Sequence, residues 1–168
     1  MKSDLLPPTE ILALLRENPA RMIELTADLT PQQLRTPPEP DAWSLTDNLA
    51  HLRACADVWE DCITRMLAEE HPTIRAINPR GWIKRTNYRD LEYAPSFAAF
   101  TAQREALLTT LTALTPEQWE RSATITGAGA PLTRTVRFYA QWLARHERTH
   151  LKQMARVAKT ILAESQPH

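Results

Sequence analysis

At 168 residues the chain has the length of one domain, and a globular chain of this size buries roughly 70% of the surface its unfolded form exposes. Acidic and basic side chains balance at 20 each, so no global field draws the protein to nucleic acid or to an anionic membrane. No stretch is long and apolar enough to span a bilayer, and Asp4, Pro7, Pro8 and Glu10 interrupt any leader-like run near the start, which makes a cytoplasmic location the expectation.

The first apolar stretch places Ile11, Leu15, Met22 and Leu29 on one helical face, with Thr9 near its start and Asn18-Pro19 expected to break or kink it. Thr30-Pro31 and the run Thr36 to Asp41 hold too many prolines to continue a helix. Ser44 is then a candidate N-cap, with Asp47 three residues on as a weaker form of the capping-box acid. A second helix, about 45 to 70, carries the line Leu45, Leu49, Leu52, Ala56, Trp59, Ile63 and Met66. Beside it runs a second line of Asn48, His51, Cys55, Val58 and Cys62, so the buried face is wide and contains His51. Cys55 and Cys62 would stand about 10 Å apart along this one helix, too far for a disulfide.

The link to the next helix is punctuated by Arg75, Arg80, Lys84, Arg85 and Arg89, with Trp82 and Tyr88 interleaved. It could receive an anionic small molecule or a thiol cofactor, and a solvated, mobile loop is the plainer reading. A third helix, about 95 to 114, is predicted to begin at Pro95 and to align Phe97, Phe100, Arg104, Leu107, Leu111 and Leu114. Arg104 on that apolar line could bind a substrate carboxylate, pair with a buried acid, or snorkel. Pro116 to Trp119 predicts a short turn. Ala123 to Thr126 is the best strand candidate but too weak to predict a sheet, and Gly127 to Pro131 reads as a loop. Thr133 or Thr135 could cap a fourth helix, about 133 to 163, that aligns Tyr139, Leu143, His146, His150, Gln153 and Val157. Four such helices predict an all-α four-helix bundle forming a single domain over 1–168.

His146 and His150, four residues apart, share a helix face and can converge on one ion. Unpartnered in a core, each ring would cost on the order of 1–3 kcal/mol, which a shared metal would relieve; a hydrogen-bonded or surface pair is the plainer alternative. His51 supplies a third ligand from another helix and leaves positions open for water or substrate. Asp47 and Gln153 could accept hydrogen bonds from the rings of His51 and His150 as outer partners. Cys55, one turn from His51, is either a small buried hydrophobe or a soft ligand. His146-Glu147-Arg148-Thr149-His150 also matches H-E-x-x-H, in which Glu147 would be a general base. The downstream acid Glu164 lies about 21 Å along the same helix, too far to complete a zinc hydrolase site of that type.

Several segments together resemble the DinB/YfiT-like superfamily of metal-binding bundle proteins, which is distinct from the DNA polymerase sharing part of that name. Asp41-Ala-Trp43-Ser44 with Asn48-Leu-Ala-His51-Leu52 is similar to its W-S-x-x-(D/E)-x-x-x-H-L segment, and Phe100 to Leu108 to its F-x-x-x-R-x-x-L-L. His146 to Gln153 resembles the terminal H-x-x-x-H-x-x-Q, and Gly127 to Thr133 the loop before it. The resemblance spans about residues 9 to 162. It implies a four-helix bundle, often a homodimer, whose His51, His146 and His150 bind zinc, nickel or another divalent ion. Some relatives are transferases or isomerases that use a low-molecular-weight thiol. Many members carry a further histidine where Thr149 stands here. The resulting expectation is a metal-dependent thiol transferase or isomerase with a small-molecule substrate. The alternative is a non-catalytic, stress-linked binding or dimerising bundle with a structural metal.

Overall fold

The computed structural model describes residues 5–165, so the outermost residues of the expected 1–168 domain lie outside the described part. Its four long helices are α1 (Pro8–Thr26), α3 (Leu45–Ala68), α5 (Tyr93–Thr112) and α7 (Val136–Glu164). Three one-turn helices, α2 (Pro31–Arg35), α4 (Pro79–Trp82) and α6 (Pro116–Trp119), interrupt the connections. Helix α7 packs against both α1 and α3, and α5 packs against the same two helices on the opposite side. The order around the bundle is therefore α1, α7, α3, α5, with α5 and α7 facing each other across the interior.

Local chemistry fixes the ends. Ser44 caps α3 through a complete capping box: its side chain accepts from the Asp47 N–H, and Asp47 accepts from the Ser44 N–H. Thr135 caps α7 by accepting from the Phe138 N–H. Helix α5 starts at Tyr93, two residues before Pro95, so the proline lies within the first turn, where its missing N–H costs no helical bond.

Helix α1 continues as one helix through Asn18-Pro19, so of the expected break or kink the break does not occur. Proline at 19 removes the N–H that would have bonded the Leu15 carbonyl one turn earlier. That carbonyl instead accepts from Arg104 Nη1 of α5 at 3.2 Å, so a side chain 89 positions away completes the helix.

The expectation of no sheet is also corrected. Residues 73–75 (β1), 122–126 (β2) and 132–135 (β3) form a three-stranded sheet in the order β1-β2-β3, parallel between the first two and antiparallel between the last two. Gly127 and Gly129, with φ of 85° and 94°, supply the left-handed conformations of the β2–β3 turn. Ile74, Ala123 and Ile125 are buried and join the apolar cluster at one end of the bundle.

That cluster holds Leu15, Ile63, Leu107 and Leu143 among others. A second one at the other end holds Met22, Leu49, Phe100 and Met154. Between them every long helix contributes a polar or sulfur-bearing side chain: Asn18, Cys55, Arg104 and Glu147, all buried. The candidate site lies at this polar layer.

Candidate metal centre

His51 on α3 and His146 and His150 on α7 come together. Their ring centroids are 5.3 Å apart for His51–His146, 4.8 Å for His51–His150 and 4.5 Å for His146–His150. Rings sharing one ion at ordinary metal–nitrogen lengths should have centroids about 4.5–5.5 Å apart, so the ring spacing suits one ion, while the ligand atoms that lie within 4.8 Å of one another are those of His51, Cys55 and His146, without His150. Nδ1 of His51 and Nδ1 of His146 are buried and have no hydrogen-bond partner. Orphaned ring nitrogens of this kind are costly unless something binds them.

Electrostatics favour the ligating form. Burial, followed by the charges of His150, His146 and Arg80, lowers the His51 pKa to about 4. Burial, followed by His146 and Arg80, does the same for His150, and burial alone lowers His146. All three rings are thus neutral at neutral pH, with a lone pair each. Cys55 is within reach: its Sγ lies 3.5 Å from His51 Nε2, and ligand atoms of His51, Cys55 and His146 all fall within 4.8 Å of one another. Burial and then the charge of Glu147 push its thiol pKa well above the ordinary range, so it is protonated where the imidazoles are ready to ligate.

The outer partner of the site is Asn48, which the sequence placed on the buried line without giving it a role. Its Nδ2 donates to the Ser44 carbonyl at 2.9 Å, which turns Oδ1 toward His150 Nδ1 at 3.2 Å. An amide oxygen can only accept, so His150 Nδ1 carries the proton and Nε2 keeps the lone pair. Asp47 does not serve this purpose for His51. Its carboxylate accepts from the backbone and hydroxyl of Ser44 and pairs with Arg89 at 3.1 Å. Gln153 is half-buried, and no hydrogen bond joins it to His150.

Glu147 and Arg104 occupy a different place from the one expected of a base and a substrate anchor. They form a buried, two-pronged ion pair across the bundle, with Arg104 Nη1 2.9 Å from Oε2 and Nη2 against Oε1. Asn18 Nδ2 donates to the same carboxylate at 2.8 Å. Both charged side chains are only 2% exposed, so neither faces a substrate. The alternation of the helix explains this: His146 and His150 point at α3, while the intervening Glu147 points into the centre of the bundle.

Aromatic walls enclose the rings. Trp43 stacks beside His150, with centroids 6.4 Å apart, and meets His51 at 5.2 Å. Trp59 meets His146 edge-on at 5.0 Å. Beyond it a cavity of about 370 Å³ is lined by Phe138, Gln141, Trp142, Arg145, His146 and Thr149, and so borders one of the three rings. The basic link folds over the other side. Asp57 on α3 accepts from Trp82 Nε1 (3.0 Å), Tyr88 Oη (2.7 Å) and Gln103 Nε2 (3.3 Å), and so fastens the segment carrying Arg80 and Arg89.

The model of the DinB superfamily matches residues 14–154, most of the chain. The chain belongs to the DinB superfamily. As a DinB bundle it is similar in structure to YfiT from Bacillus subtilis, described as a probable metal-dependent hydrolase with an unusual four-helix bundle topology. The TM-score is 0.74 with 18% sequence identity, covering 95% of this chain and 91% of that one, a likeness that shows the fold. No curated protein matches the sequence. Among the described residues of this DinB protein, no helix is long and apolar enough to cross a membrane.

Proposed function

We propose that this DinB protein holds one divalent ion, zinc or nickel, on His51, His146 and His150 and acts on a small molecule as a metal-dependent thiol transferase or isomerase. The observation carrying the reading is the convergence of three neutral imidazoles, two of them with buried ring nitrogens that lack any partner. A bound ion would act as a Lewis acid, able to hold a low-molecular-weight thiol as thiolate at neutral pH. The residues around it do the positioning. Asn48 fixes the tautomer of His150, Trp43 and Trp59 restrict water at the rings, and the cavity beside His146 offers room for an electrophile.

The relative YfiT is described as a hydrolase, and the H-E-x-x-H string would suit one. Glu147, however, is engaged by Arg104 and Asn18 and is not placed to take a proton from water, which favours a thiol nucleophile that needs no carboxylate base. A purely structural metal would require a fourth ligand closing the site. Cys55 is the candidate, and burial together with Glu147 opposes its ionisation.

The test is metal binding by wild type and by His51→Ala, His146→Ala and His150→Ala. Wild type should take up about one zinc per chain. At a hundredfold excess over Kd the ion should add about 2.7 kcal/mol of stability, or roughly 5–10 °C in Tm, and each variant should lose the gain. Wild-type protein that binds neither zinc nor nickel would refute the proposal. A cobalt derivative whose thiolate absorption disappears in Cys55→Ala would favour the closed, structural site.

A further inference from the structure

The basic link leaves one cation without an acidic partner beside the histidines. Asn78 caps α4 by accepting from the Arg80 N–H at 2.9 Å, which sets the start of the turn that carries Arg80. The Arg80 guanidinium lies over the Trp43 ring, 5.7 Å from its centroid, and that same ring borders His51 and His150. Arg89 lies over Trp43 as well, at 5.8 Å, but Asp47 neutralises it. Among the described residues Arg80 pairs with no carboxylate, and its side chain is exposed.

A guanidinium in that position offers a planar fork of donors to a carboxylate. The segment is not a loose arm, because Trp82 and Tyr88 on either side of Lys84 and Arg85 both bond Asp57, and the Arg53 guanidinium covers the Tyr88 ring at 3.9 Å. We infer that Arg80 recognises the substrate, and that the ligand accepted at the three histidines is a small carboxylate: its carboxylate meets Arg80 while its other polar group faces the rings. This rests on the metal reading proposed above and specifies the class of molecule the site selects.

The experiment compares two thiols of similar size on the cobalt-loaded protein, followed by the absorption of the bound cobalt. Mercaptoacetate carries a carboxylate and 2-mercaptoethanol carries a neutral hydroxyl. Wild type should prefer mercaptoacetate by about tenfold, the scale of one charge-assisted contact. Arg80→Gln should remove that preference by weakening mercaptoacetate alone, leaving cobalt content and 2-mercaptoethanol binding unchanged. Lys84→Gln, which changes the link by the same charge at an exposed position, should keep it. Equal preference in wild type and Arg80→Gln, with both thiols still perturbing the cobalt, would refute the role of Arg80 and leave the metal site standing. If neither thiol perturbed the cobalt of wild type, the thiol reading itself would fall and this assignment with it.

Discussion

Replacing Arg104 by methionine should destabilise the protein by about 4–6 kcal/mol. The change strands the Glu147 carboxylate with Asn18 as its one remaining donor, and breaking one side of a buried pair costs roughly 3–5 kcal/mol. It also strands the Leu15 carbonyl, a further loss of about 1 kcal/mol or more. That second part can be isolated, because Pro19→Ala restores a backbone N–H to the same carbonyl. Urea unfolding followed by far-UV circular dichroism at neutral pH should therefore show Arg104→Met costing about 1 kcal/mol less in the Pro19→Ala background than in wild type, with an unchanged urea slope. The double change Arg104→Met with Glu147→Leu should recover most of the loss, since two apolar groups need no partners. The reasoning fails if Arg104→Met alone costs under about 1 kcal/mol, or if its cost is the same in both backgrounds.

Asn48→Ala should weaken zinc binding about 10- to 100-fold by releasing His150 from its tautomer, whereas Asp47→Ala should leave zinc affinity intact and cost about 1 kcal/mol through the lost cap; titration calorimetry beside urea unfolding separates the two. Glu60 offers a pH test. Burial is the main cause that raises its pKa from 4.5 to about 8, against a smaller opposing pull from Arg104. Between those values the folded chain binds more protons than the unfolded one, so this residue makes stability fall as pH rises through the window. Glu60→Gln should flatten that fall and leave the protein roughly 2–4 kcal/mol more stable than wild type near pH 8, and an unchanged pH profile would show that the carboxyl is ionised in the fold.

The four long helices were legible because each repeats apolar residues at three-four spacing and most begin at a local signal. Ser44 and Thr135 cap where their sequence contexts indicate. The histidines were legible from periodicity together with the family resemblance, and the structure buries His51 and half-buries His146 and His150. The sheet was not. Thr73–Arg75 is three residues long and finds its parallel partner about fifty positions away, so no local alternation announces it. The continuity of α1 was equally hidden, because the donor that replaces the missing N–H of Pro19 comes from Arg104 on another helix. At the site, neighbours in sequence misled. Asp47 precedes His51 by a turn, but a residue at the third position of a helix faces its own cap. Asn48, next to it, is the one whose side chain crosses to α7.

Asp57 gathers Trp82 and Tyr88 onto a single oxygen, and Asp47 holds Arg89, so the segment from Asn78 to Arg89 is fastened to α3 at a few polar points. Arg80 is exposed, precedes those attachments and belongs to neither apolar cluster of the bundle. On the proposed reading selectivity and chemistry can change separately: altering position 80 would revise what the site admits while the three histidines stay in place.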